Sequence, residues 1–247
     1  MSAESIPLRP VSSIECRTCG AGAPVDEHFC PQCSRILALG RHGDYFTFLG
    51  VPRKLTIAQA DLERRFRELS RQFHPDFFYN ASPTERLASL ERSSYLNDAY
   101  RALSNAASRI EHLLAVEGRP STRSDHGTTK VPPALLEEVF ALNEELDEIR
   151  ELREAGGDAD VVRTRLSAAR RPIDLKHEAH ERALEALGAQ WDQALDAGDP
   201  AGKQAALDAL GSCLLERNYI NNLLATIERE MGRGADAGPP GASPAHG

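Results

Sequence analysis

Apolar residues recur every three to four positions along most of this 247-residue chain, and the pattern predicts helices rather than strands. Leu62, Phe66, Leu69 and Phe73 make one stripe at i, i+4, i+7 and i+11, after a Thr56–Gln59 capping box. Leu96, Ala99, Tyr100 and Leu103 make a second stripe, behind Ser82-Pro83-Thr84-Glu85, a cap, a first-turn proline and a box-closing glutamate. The two helices are expected to pack antiparallel. Asp44-Tyr45-Phe46 opens a short turn ahead of them, with Gly50 as its stop, and Ser104-Asn105 is expected to cap a helix carrying Ile110, Leu113 and Leu114 that ends at Gly118.

A second helical set begins at Ala134. Leu135, Val139, Leu142, Leu146 and Ile149 form its first stripe, and Leu136 and Phe140 form a second apolar line that continues into Glu144 and Glu148. Gly156-Gly157 closes that helix. Val162, Leu166, Ala169 and Ile173 start the next, with Pro172 kinking it or opening a new segment, and Leu184, Leu187, Trp191 and Leu195 carry it to Gly198. After Asp199-Pro200 the last helix has a core stripe of Leu210, Cys213, Ile220, Leu224, Ile227 and Met231, with Tyr219 and Leu223 beside it. Three helices joined by short turns predict a bundle. Leu136 and Phe140, with Tyr219 and Leu223, read equally as a broad packing face and as an exposed patch for a protein partner.

Ahead of the helices stand Cys16-Arg-Thr-Cys19 and Cys30-Pro-Gln-Cys33. Two residues between paired cysteines let both sulfurs of a tight turn face one ion, and four thiolates complete a tetrahedral zinc shell. Gly20 suits a turn that aims backbone N–H groups at the sulfurs. The module is expected to be structural and to unfold on chelation. A four-thiolate iron site looks the same in sequence, and a redox pair is the third reading. His28 reads as a surface residue, because the four cysteines already fill the shell.

Composition narrows the function classes. A net charge of −8 argues against a dedicated nucleic-acid binder, and no apolar run approaches the roughly 20 residues that span a bilayer. Met1 to Glu15 lacks a signal-peptide core and the look of a transit peptide, so a bacterial cytoplasm is the expected compartment, with a matured mitochondrial form as the alternative. Paired cysteines in such a compartment favour metal over disulfides. No nucleophile, oxyanion site or phosphate-binding loop stands out, so the chain is not expected to be an enzyme or to hold a catalytic cofactor. His177 and His180 read as part of a solvated charged face, and Cys213 as a small core residue.

The stretch between the first two helices is Arg71-Gln72-Phe73-His74-Pro75-Asp76. Pro75 disfavours helical geometry at His74 and ends the helix. Arg64, Arg65, Arg67 and Arg71 on that helix, in an otherwise acidic chain, invite an acidic partner. Asp44-Tyr45-Phe46, His74-Pro75-Asp76 and Leu96-Asn97-Asp98-Ala99-Tyr100 resemble a J domain. With Arg109 to Leu114 and Glu144-Glu145-Leu146-Asp147-Glu148-Ile149, residues 44–231 resemble HscB, the J-type co-chaperone of iron–sulfur cluster assembly. The four-cysteine module is similar to the N-terminal extension of the family's eukaryotic members, and Glu137 stands where the family often carries an apolar residue.

The resemblance implies a mostly α-helical, L-shaped protein: a zinc knuckle, a J-domain hairpin and an HscB-type three-helix bundle for oligomerisation and scaffold binding. The expected division is a flexible 1–15, the module at 16–40, the J domain at 44–118, a linker at 119–133, the bundle at 134–231 and a disordered 232–247. By the resemblance, His74, Pro75 and Asp76 stimulate ATP hydrolysis by a DnaK/HscA-type chaperone, and Arg64, Arg65, Arg67 and Arg71 bind it. By the same resemblance Leu136, Phe140, Glu144, Glu148 and Tyr219 bind the scaffold protein IscU; Cys16, Cys19, Cys30 and Cys33 are expected to hold zinc from their spacing, and the chain is expected to be a monomer without nucleic-acid or membrane partners. The alternative in sequence terms is a general J protein that delivers unfolded clients.

Overall fold

The structure is a computed structural model that describes residues 13–40, 43–119 and 131–233. The lead-in through residue 12, most of the expected linker and the tail from 234 lie outside these residues. The described chain is helical except for one two-stranded ribbon, β1 (Ser13–Glu15) antiparallel to β2 (Gly22–Pro24). It divides into two compact units, residues 1–120 and 121–247. No helix among the described residues is long and apolar enough to cross a membrane.

The first unit holds the ribbon and four helices: α1 (Tyr45–Leu49), α2 (Gln59–Phe73), α3 (Pro83–Ser104) and α4 (Ala106–Val116). Local capping chemistry sets most of their ends. Asp44 accepts from the N–H groups of Phe46 and Thr47, and Gly50 closes α1 in the left-handed region at φ 65°. Ser82 and Glu85 form a complete capping box around Pro83, and Asn105 accepts from Ser108 N–H at the start of α4. Thr56 does not open α2, which begins at Gln59 with Ala58 as its cap. The Gln59 amide, needed for the expected box, instead donates to Glu63 and to the Tyr100 hydroxyl. Leu62, Leu69 and Phe73 of α2 and Leu96, Ala99 and Leu103 of α3 are all buried, while Phe66 is half-buried with its ring 4.4 Å from that of Tyr100.

The second unit holds α5 (Leu136–Glu154), α6 (Ala159–Asp196) and α7 (Pro200–Gly232). Gly156 turns the chain at φ 76° and Asp158 caps α6; Asp199 caps α7 with Pro200 in its first turn. Pro172 neither breaks nor restarts α6, which runs through it for 38 residues. Ala141, Ala168 and Ala169 are among the residues that line a groove beside Pro172, between α5 and α6. The core is Leu135, Val139, Leu142, Leu146 and Ile149 against Val162, Leu166, Ile173, Ile220, Leu223 and Ile227. Leu223 is thus a core residue, not part of an exposed line, and Leu214 rather than Cys213 occupies the buried stripe.

Ion pairs stitch the bundle. The Arg165 guanidinium reaches both oxygens of Glu145 at 2.7 and 2.9 Å, and Lys176 pairs with Glu138. His180 is no solvated residue: it sits between Lys176 O and Glu216 on α7, while Glu181 meets Arg217. At the other end Glu230, 3% exposed, takes Arg150 at 2.9 Å, Arg153 at 3.0 Å and Arg233 at 2.9 Å. Burial opposes its ionisation, but the Arg150 hydrogen bond and the charges of Arg233 and Arg153 outweigh burial and hold the carboxyl below its usual range. A depressed folded-state value stabilises above the unfolded value of about 4.3 and is lost as pH falls through the folded one. Glu230→Gln is therefore expected to destabilise the bundle by about 1–3 kcal/mol at neutral pH. That difference should shrink as the pH drops below about 4, read by urea unfolding with the single, buried Trp191 as probe.

Candidate functional site

Three candidate sites are carried by these elements. The first is the cysteine cluster. Two turns of the same construction hold it: Gly20 N–H donates to Cys16 O and Cys16 N–H to Ala21 O, while Ser34 N–H donates to Cys30 O and Cys30 N–H to Arg35 O. The residue after each second cysteine takes a left-handed conformation, Gly20 at φ 74° and Ser34 at φ 57°. The four sulfurs lie within 4.8 Å of one another, with Cys16–Cys33 and Cys19–Cys30 both at 3.7 Å. A tetrahedron with metal–sulfur bonds of about 2.3 Å has edges of about 3.8 Å, so the donor set fits zinc.

The electrostatics agree. N–H groups of Thr18 and Cys19 draw the Cys16 thiol down to about 6. Cys33, despite the N–H of Arg35, is pushed up to about 12 by burial and by the sulfurs of Cys19, Cys16 and Cys30. A cation among them removes that repulsion and lets all four ionise. Ser34→Gly removes the left-handed strain and, because metal binding and folding of so small a module are one event, is expected to tighten zinc by up to about 1 kcal/mol, measured against a competing chelator.

The second site is the turn between α2 and α3. His74 caps a 3-10 turn (Pro75–Phe78) by accepting Asp76 N–H at Nδ1, 3.3 Å away, which leaves its Nε2 as the N–H. His74 and Asp76 both face water, Asp76 with 88% of its side chain exposed. With Ser70, Arg71 and Phe77 they line a shallow depression that offers a cation, an anion and an aromatic ring. Arg64 and Arg67 are exposed and pair with Asp61 and Glu63 of their own helix; Arg71 is exposed at its end. Arg65 differs from the other three. It folds under Gly50, donating to Leu49 O at 3.1 Å, and so caps α1 as well as pairing with Glu68.

The third is the outer face of α5. Leu136 is 41% and Phe140 66% exposed, and Glu144 and Glu148 continue the same face outward. Glu148 also takes Arg165 of α6. Tyr219 is half-buried against the bundle core on α7.

Two residues were hidden from sequence reasoning. Arg92 of α3 is 0% exposed and donates to Leu37 O at 2.8 Å and to Ala38 O and Glu27 O at 3.3 Å. Burial lowers it to about 10, which leaves it a cation at neutral pH. His28, expected at the surface, receives Arg92 at Nδ1, 2.8 Å away, and its Nε2 lies 3.1 Å from Phe48 O, with its ring 4.9 Å from those of Phe48 and Phe73. Periodicity held a signal for Arg92. Ala88, Ser89, Arg92, Leu96, Ala99 and Leu103 form one buried stripe, and a charge at a core position demands partners.

No protein-family model matches the chain. Solved structures do. The human co-chaperone protein HscB superposes with a TM-score of 0.60 at 24% identity, over 88% of this chain and 98% of that one. The chaperone HscB from Vibrio cholerae gives 0.51 at 25% identity, over 77% of this chain and 98% of its own. The mostly helical architecture read from the sequence stands, and the chain has the fold of the HscB co-chaperones, with a four-cysteine site that fits zinc.

Proposed function

We propose that this protein is a J-type co-chaperone of iron–sulfur cluster assembly, acting through its partners' chemistry and not its own. The observation that carries the reading is the His74-Pro75-Asp76 turn, held open to solvent between two helices in a chain with the HscB fold. His74, Pro75 and Asp76, with Arg64, Arg67 and Arg71, form the surface offered to a DnaK/HscA-type ATPase. Arg65 contributes from the edge, since part of its guanidinium is spent on α1.

Leu136 and Phe140, with Glu144 and Glu148 beyond them, form the surface offered to the IscU scaffold. An apolar patch rimmed by carboxylates suits a folded partner with an apolar spot beside basic residues. Tyr219 supports that face from α7. Holding ATPase and scaffold on one chain raises the concentration of each for the other. ATP is hydrolysed by the chaperone, zinc serves only structure, and the protein works as a monomer in the cytoplasm or its mitochondrial equivalent.

Capture tests the partner. The full chain should retain folded IscU on a column and should not enrich denatured polypeptides over it. Retention of denatured chains with no hold on IscU would replace this reading with that of a general J protein.

A further inference from the structure

The four-cysteine module is bonded into the helical unit at both ends of the His74 turn. On the α2 side, Phe73 is the last helical residue before His74. Its ring meets His28 at 4.9 Å and Phe29 at 6.1 Å, both from the module, and the Arg92 guanidinium carbon lies 5.8 Å from its centre. Its carbonyl accepts from Ser89 at 2.7 Å and Ser93 at 3.0 Å, which lie three residues before Arg92 and one after it on α3. On the α3 side, Arg35 reaches 3.2 Å to Glu85, the carboxylate that closes the capping box at the end of the turn.

The acceptors of Arg92 explain how metal enters. Glu27 and His28 precede Cys30; Leu37 and Ala38 follow Cys33. The two backbone segments are held together by Leu37 N–H on His28 O and by the Phe29–Ile36 bridge, around the second cysteine turn. The module's own buried cluster among the described residues is Cys16, Ala23, Cys30 and Leu37, half of it metal ligand, with Ile14, Ala21 and Cys33 partly buried against it. So small a core does not hold the segment together without its ion. If the segment unfolds, Arg92 loses these acceptors and the cover they give it, and α3 loses the anchor that holds it beside the turn.

We infer that Arg92 is a positioning residue that couples metal occupancy of the four cysteines to the geometry of the His74-Pro75-Asp76 turn. Coupling of this kind is reciprocal: the ion steadies the turn, and the hairpin tightens the ion. The functional meaning rests on the proposed co-chaperone activity, but the coupling itself does not.

Two readouts on the full chain test it without any chaperone. Removing zinc with a chelator should raise amide hydrogen exchange at Phe73, His74, Asp76 and Phe77 and around Ser89 to Ser93 by about tenfold or more, with α6 and α7 unchanged as the internal control. Arg92→Met, which touches no ligand, should weaken zinc by about tenfold or more, and Arg92→Lys should recover part of that loss. Faster exchange confined to residues 13–40, or an unchanged zinc affinity in Arg92→Met, overturns the inference. Should Arg92→Met fail to fold, the exchange experiment on the unaltered chain decides alone. A chain that shows the coupling but stimulates no ATPase would refute the proposed function and leave the inference standing.

Discussion

Asp76→Asn is expected to weaken stimulation of a DnaK-type ATPase about 10- to 100-fold while leaving the fold intact. The Asp76 carboxylate is almost wholly exposed, and the nearby His74 Nδ1, 3.5 Å away, is itself the acceptor of the Asp76 N–H, so the carboxylate stabilises little. The turn depends on the backbone N–H of Asp76, which asparagine retains. Stability should therefore shift by no more than about 0.5 kcal/mol. What the amide lacks is the charge. Charge-assisted hydrogen bonds contribute about 1.5–3 kcal/mol, so an interaction made with the ATPase should weaken roughly 10- to 100-fold. Steady-state ATP turnover over a titration of co-chaperone reads this, with thermal unfolding as the control. Stimulation equal to wild type would remove the turn from the mechanism.

Leu136→Ala with Phe140→Ala should cost the second-largest effect, on scaffold binding. Both side chains stand out from α5 while Val139 and Leu142 beside them face the core. Truncating them leaves the bundle core intact, and stability should change by about 1 kcal/mol or less. Apolar and aromatic anchors at the centre of an interface typically cost about 2 kcal/mol each when cut to alanine, with incomplete additivity. The double variant is expected to bind IscU about a hundredfold more weakly by calorimetry. Glu144→Ala should weaken binding less and lower its salt sensitivity, because a rim carboxylate acts through a screened field. Unchanged affinity in the double variant would move the scaffold elsewhere on the bundle.

How far the sequence could be read depended on the range of the physics. Caps at Ser82, Asn105 and Asp199 were legible because each is satisfied within three residues. The exposed line of Leu136 and Phe140 was legible in kind, as surplus apolar residues beside a complete stripe. Thr56 misled because its partner Gln59 finds Tyr100, on another helix. Of the two readings of Pro172, the new segment is absent, because α6 continues through the proline. Cys213 and Leu214, one position apart, exchange roles because packing against α6 sets the rotation of α7. The latch of Arg92 and His28 was least visible, since its two sides are 64 residues apart and the stripe that puts Arg92 in the core does not name its partner.

The same distinction separates the three sites. The cysteine pairs announce their ion through spacing, and the His74 turn through a tripeptide. The link between them is carried by carbonyl oxygens of Glu27, Leu37 and Ala38, which any residue type supplies and no motif encodes.

The central claim is that one chain joins a scaffold to a chaperone ATPase. Its most direct measurement is ATP turnover by the DnaK/HscA-type chaperone with this protein alone, with IscU alone and with both. The account predicts that the pair together exceeds the sum of the separate stimulations, and that Asp76→Asn erases the excess. Stimulation by this protein that IscU leaves unchanged would contradict it.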